Sequence, residues 1–134
     1  MSDSQVVFGS HRVALRALGA RARYLAFDVS DAMATERALS DLGTGDVCIH
    51  GAGLEDSRLL ADKDPETFDR VFAAKVHGTM NLLEAFANPP QAMVVFTSVA
   101  GRFGNAGQVD YAAANDAVSR LMASLTHRGL TRGL

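Results

Sequence analysis

MVVFTSVAGRFGNAGQVDYAAAN, residues 93–115, passes from an apolar run through a glycine-containing turn into an alanine-rich segment. The run Met93–Thr97 is short and rich in Val and Phe, which predicts a buried strand that ends at the hydroxyl of Ser98. From Tyr111 the alanines predict a helix running to His127, with Asn115 four residues after Tyr111 and so on the same face. A strand-end hydroxyl and a helix-borne phenol, thirteen residues apart in the chain, then converge on one point. Such a point suits chemistry on a carbonyl.

The same alternation recurs along the rest of the chain. Gln5–Phe8, Tyr24–Val29 and Val47–His50 are further strand candidates, and Arg12–Leu18, Asp31–Leu42 and Pro65–Ala87 have helical character. The strand runs are nearly continuous in apolar residues rather than alternating, which predicts a parallel sheet buried on both faces. Asp64-Pro65 supplies a cap and a first-position proline for the long helix, and Asn88-Pro89-Pro90 ends it. The expected fold is therefore α/β, a Rossmann-like parallel sheet flanked by helices with right-handed crossovers, in one domain over residues 1–134.

Composition narrows the function classes. With 48% apolar residues in 134 the chain can bury a sizeable core. A net charge of −2 with scattered Lys and Arg offers no stripe for nucleic acid. No run approaches the roughly 20 apolar residues that span a bilayer, and the N-terminal M-S-D-S-Q has no signal-peptide pattern. Cys48 is the single cysteine, expected as a structural thiol in a reducing, cytoplasmic setting. No metal-ligand cluster is expected.

In parallel α/β sheets, ligands bind beyond the carboxyl ends of the strands. Those ends are Asp28-Val29, Gly51-Ala52-Gly53 and Ser98, which place a carboxylate, a glycine turn and a hydroxyl along one edge. Taken singly, Asp28 reads rather as a turn former or cap, the glycines as loop residues and Ser98 as a hydrogen-bonding strand end. Together they favour a site. Lys75 follows Phe68, Val71 and Phe72 at helical spacing, so it points to the core side of its helix. It either snorkels to the edge of the packing or holds a buried task. On the last helix Tyr111, Asn115, Val118, Met122 and Leu125 share a face, two polar heads ahead of three apolar anchors. The bland reading is an ordinary amphipathic helix behind a flexible Gly104, Gly107 and Gln108 loop.

Five segments carry a resemblance: F-D-V-S-D at 27–31, I-H-G-A-G at 49–53, DKDPETFDRVFAAKVHG at 62–78, VFTSVAGRFGNAGQ at 95–108 and Y-A-A-A-N at 111–115. From Tyr24 to about Leu130 the chain resembles the ketoreductase domains of polyketide and fatty acid synthases, within the short-chain dehydrogenase/reductase family. The wider family usually carries Tyr-x-x-x-Lys; Tyr111-x-x-x-Asn115 with Lys75 on the preceding helix is similar to the exchanged pattern of the synthase domains. The resemblance implies NADPH-dependent reduction of a β-ketoacyl thioester carried on an acyl carrier protein. It implies Tyr111 as proton donor, Ser98 as holder of the substrate oxygen, Lys75 as the charge that lowers the Tyr111 pKa, and Asn115 as a member of the hydrogen-bond chain. Asp28 and Val29 match residues beside the adenine, and Gly51, Ala52 and Gly53 match the turn against the dinucleotide. Ser10 and Arg12 are the candidates for a ribose 2′-phosphate, which favours NADPH over NADH.

The departures carry expectations too. No Gly-rich pyrophosphate turn follows a first strand here, and the family's strands beyond Leu134 are absent, so an incomplete sheet is expected. In the family that first strand lies at the centre of the sheet. The Gln5–Phe8 run is expected to pair directly with Val47–His50, or another chain to fill the gap; otherwise long edges stay open, and open edges favour self-association. Leu54-Glu55-Asp56 partly resembles the Leu-Asp-Asp loop of one stereochemical class, Ala113 replaces its Pro, and Phe103 stands where the other class has Trp. Two alternatives to the active ketoreductase follow: a noncatalytic structural or docking subdomain of a megasynthase, and a different short-chain reductase or epimerase acting on a small free substrate. The Tyr-x-x-x-Asn spacing tells against the last.

Overall fold

A computed structural model describes residues 6–7, 22–23, 25–40, 42, 46–86 and 90–129. In chain order the elements are β1 (Val6–Val7), β2 (Ala22–Arg23), α1 (Ala32–Leu39), β3 (Val47–His50), a 3₁₀ turn (Leu60–Asp62), α2 (Pro65–Ala85), β4 (Ala92–Val95), α3 (Ala100–Phe103) and α4 (Val109–His127). All strand pairing among the described residues is parallel. β1 lies beside β2, and β3 lies beside β4 in the register Val47 to Ala92 through His50 to Val95. Among the described residues no ladder joins β1 or β2 to β3, so the direct pairing of Gln5–Phe8 with Val47–His50 is not made.

Local chemistry explains where the helices begin. Asp31 caps α1 by accepting from the amide of Ala34 at 2.9 Å, and Asp64 caps α2 by accepting from Thr67 at 2.9 Å, with Pro65 in the first turn. α1 buries Thr35 and Leu39, one turn apart, against α2. α2 packs in turn on α4, and α3 packs on α4. Their inward faces and one face of β4 form the core: Leu39, Leu82, Met93, Val95, Val118 and Met122. Gly78 lets α2 come close to the strand ends, because a methyl group there would sit 3.0 Å from Val29 Cγ1 and 3.2 Å from His50 Cε1.

Two expectations need correction. The strand expected over Tyr24–Val29 appears as a ladder only at Ala22–Arg23, and residues 25–28 lie outside any strand. The Val29 carbonyl accepts instead from Asn81 Nδ2 at 2.9 Å and Thr35 Oγ1 at 3.2 Å. An apolar run extends as a strand only where a neighbour offers ladder partners, and here α1 and α2 take the carbonyl. Burial on both faces also fails among the described residues. Val47, Ile49 and Phe96, on the face of β3 and β4 opposite the core, remain 56%, 62% and 61% exposed. The helix expected over Arg12–Leu18 lies outside the described residues. α2 ends at Ala85 rather than Ala87, and α4 begins two residues ahead of Tyr111.

Candidate active site

The carboxyl ends of β3 and β4 set the floor of the site. β3 runs into the exposed turn Gly51-Ala52-Gly53, and β4 runs through Phe96 and Thr97 into Ser98. Ser98 stands ahead of α3, where its Oγ accepts from the amide of Ala100 at 3.2 Å. The hydroxyl's own hydrogen has no acceptor among the described residues, so Ser98 retains a donor.

Lys75 reaches this floor from α2. It is 6% exposed, and its Nζ donates to the Phe96 carbonyl at 2.8 Å. The side chain therefore does not snorkel. A Cβ at Gly53 would stand 3.2 Å from both Cε and Nζ of Lys75, so the glycine turn and the ammonium touch. Desolvation holds the Lys75 pKa below its ordinary value. Among the described residues no carboxylate lies within ion-pair distance of it.

Below Lys75 a buried polar cluster fixes the backbone. Thr79 Oγ1 donates to the Lys75 carbonyl at 2.7 Å, and His50 Nε2 makes a long contact of 3.4 Å with the same oxygen. Because a carbonyl only accepts, this contact is a hydrogen bond only in the tautomer that carries the hydrogen on Nε2. Burial first, and then the Lys75 charge, hold the His50 pKa below its ordinary value. Cys48, half-buried on β3 two residues earlier, has its thiol pushed up to about 11 by burial alone, which makes it unreactive.

α4 carries Tyr111 and Asn115 on its inner face. Asn115 is fully buried; its Nδ2 donates to the Tyr111 carbonyl at 2.7 Å, and its Oδ1 is the one buried side-chain polar atom without a partner among the described residues. Tyr111 is half-buried, and its hydroxyl makes no hydrogen bond to the described residues. Gly101 draws α3 against this turn, since a Cβ there would lie 2.8 Å from the Asp116 amide and 3.0 Å from Asn115 Cβ. Ser98, just ahead of α3, lines one cavity with Gly101 and Asp116.

The structure thus groups Lys75 with Gly53 and the end of β4, and the Ser98 segment with the Asn115 turn. No hydrogen bond joins the four polar heads of Lys75, Ser98, Tyr111 and Asn115 to one another. Asp28 lies in the turn ahead of α1, where its carbonyl accepts from the Asp31 amide at 3.1 Å. Its Oδ1 accepts from the Ser30 hydroxyl at 2.7 Å and the Ser30 amide at 2.9 Å, which hold its carboxyl below the usual range, and the backbone of Val29 is anchored to Asn81. Ser10 and Arg12 lie outside the described residues.

Three residues escaped the sequence reading. Gly101 is packed into the α3 and α4 contact, and Lys63 and Asp110 form an ion pair at 2.7 Å with side chains 1% and 0% exposed. Asp110 precedes Tyr111 directly, and a carboxylate next to an inward-facing residue was the one available signal. The Gly104 to Gln108 segment is also more than a flexible link: Gly107, at φ +78°, offers its carbonyl to the Arg58 amide at 2.9 Å, and Gln108 Nε2 donates to Glu55 Oε1 at 3.0 Å.

Known proteins share these features. Residues 9–132 match the family model described as the KR domain. The chain is 36% identical over 124 residues to part of a polyunsaturated fatty acid synthase from Thraustochytrium sp., a span of 88% of this chain and 4% of that protein. It is 37% identical over 120 residues to polyketide synthase GfsA of Streptomyces halstedii, covering 87% of this chain and 2% of the relative. The chain thus spans only a small fraction of the length of these curated relatives. A ketoreductase domain from the bacillaene assembly line superposes with a TM-score of 0.81 at 35% identity, over 95% of this chain and 35% of that one. An N-terminal ketoreductase from the macrolactin assembly line gives 0.81 at 28% identity, over 93% and 29%. The helix-flanked parallel strands are accordingly Rossmann-like, with only part of such a sheet present among the described residues. With the motifs, the strand-end geometry and these likenesses together, the chain belongs to the KR domain family, the ketoreductase domains of polyketide and fatty acid synthases.

Proposed function

We propose that this chain carries the catalytic residues for NADPH-dependent reduction of a β-ketoacyl thioester, borne on an acyl carrier protein, to its β-hydroxyacyl form. One observation supports this most: the buried ammonium of Lys75, unneutralised by any described carboxylate, stands against Gly53 at the strand ends. Burying such a charge is costly without a function or a partner, and perturbed groups of this kind concentrate at functional sites.

The residues fit a dinucleotide on this edge. Gly51, Ala52 and Gly53 form an exposed segment with little side chain, which leaves the backbone approachable, and Asp28 and Val29 are anchored through Ser30 and Asn81. Those five residues would hold the cofactor, and NADPH supplies the hydride when bound. Ser98 contributes its free donor to the carbonyl oxygen of the substrate. The Tyr111 phenol gives its proton to that oxygen as the carbonyl carbon gains hydride, so an alcohol and a phenolate result. Lys75 stabilises the phenolate by charge, directly or through water, and the unpaired Oδ1 of Asn115 offers an acceptor for the proton's path.

Nicotinamide fluorescence during titration with NADPH tests the reading. A dissociation constant below millimolar is expected. The Tyr111→Phe variant should lower β-ketoacyl thioester reduction at least about 100-fold and leave cofactor affinity within about twofold. A dissociation constant beyond millimolar would instead support a noncatalytic subdomain of a megasynthase.

A further inference from the structure

We propose that Lys63 and Asp110 form a buried latch that positions Tyr111, clamping the loop after β3 onto the first turn of α4. The two lie 47 residues apart, and both side chains are closed to solvent. Lys63 Nζ donates to Asp110 Oδ2 at 2.7 Å and to the Asp56 carbonyl at 2.6 Å. The other carboxylate oxygen, Asp110 Oδ1, accepts from the Tyr111 amide at 2.8 Å.

That last bond gives the latch its purpose. The first amides of a helix lack acceptors within it, and Gln108, in the cap position of α4, makes no capping bond. Its one side-chain acceptor, Oε1, takes a hydrogen from Asn105 Nδ2 at 2.9 Å, and its Nε2 donates across the gap to Glu55 and Ser57. Asp110 supplies the missing acceptor to Tyr111 and needs a cation to be buried while charged; Lys63 is that cation. Gln108 to Glu55 and the Arg58 amide to Gly107 also tie loop to helix, but Gln108, Glu55 and Arg58 lie in exposed or partly exposed surroundings. The Lys63 and Asp110 bond alone is dry, hence short, strong and directional.

A buried pair of this kind adds little stability over an apolar pair of the same size, and its attested benefit is a unique arrangement. Here the arrangement concerns the two walls of the site, the loop continuing from Gly53 and the turn bearing Tyr111. Neither residue is seen to touch the phenol, so both are positioning residues. A displacement of about 1 Å at a reacting group can cost on the order of 100-fold in rate.

The test uses the full chain with both charges removed together, as Lys63→Met with Asp110→Leu, so that no lone charge is left buried. Hydrogen exchange should speed up about tenfold in peptides covering residues 54–62 and 105–112 while residues 71–82 stay unchanged. The kinetic arm rests on the ketoreductase reading above: kcat should fall about 10- to 100-fold with KM and NADPH affinity within about threefold. Exchange and kcat both at wild-type values would overturn the latch. So would a double variant that fails to fold, because the pair would then be holding the core rather than the site. An inactive wild type would overturn the ketoreductase reading instead, and the exchange pattern would still decide the latch.

Discussion

In the loop ahead of α2 the ammonium of Lys63 meets a carboxylate and a carbonyl; twelve residues later, inside α2, that of Lys75 meets only the carbonyl of Phe96. Both lysines are buried, yet one charge is neutralised where it stands and the other is not. The neutralised charge holds two segments together. The unneutralised one stands against Gly53 with its desolvation uncompensated by a counter-charge, and its pKa is lowered accordingly. Burial alone therefore does not distinguish the two lysines; the partner does.

The contrast is easiest to break by removing each lysine alone. Lys63→Met leaves Asp110 buried without a counter-charge and should lower the unfolding free energy in urea by about 3–5 kcal/mol. Should it cost nothing, the two environments are equivalent and the contrast is lost. Lys75→Met removes a poorly solvated charge, so stability should be unchanged or higher, whereas thioester reduction should fall about 100-fold. A variant that keeps full turnover would take Lys75 out of the site.

His50 sharpens the same comparison because it lies beneath Lys75 and feels its charge. Its pKa is depressed in the folded state, so below the ordinary value of about 6.5 the unfolded chain binds more protons. Its stabilising contribution is present above that pH and is lost as the pH falls through the depressed folded value. Urea unfolding between pH 7 and 5 should therefore show declining stability, with a shallower decline in His50→Asn. Identical slopes would remove His50 from the account. The smallest effect belongs to the exposed pair Arg120 and Asp116 on α4, 2.7 Å apart and one turn along the helix. Solvent screens it, and Asp116→Asn should leave the melting temperature unchanged.

Much of the scaffold was legible from local pattern. Val47–His50 is a strand with the expected bounds, and Asp64-Pro65 opens α2 as its residue types require. The inward aim of Lys75 followed from its spacing with Val71 and Phe72. Tyr24–Val29 misled for a physical reason: its apolar residues pack against the core through Phe27 and Val29, but the Val29 carbonyl finds side-chain donors rather than a neighbouring strand. Lys63 was illegible because a lysine among Asp62, Asp64 and Glu66 looks like part of a solvated charge run.

What residue order determined by itself was the alternation of strands and helices, the caps, and the set of Lys75, Ser98, Tyr111 and Asn115 as chemistry-bearing candidates, since these follow from neighbours a few positions apart. The company each group keeps came from the folded arrangement instead: Lys75 with Phe96 and Gly53, Asn115 with Gly101, Lys63 with Asp110. The reason lies in the range of the forces. Periodicity and capping act within a turn or two of chain, whereas desolvation and charge pairing depend on which distant segments exclude water together.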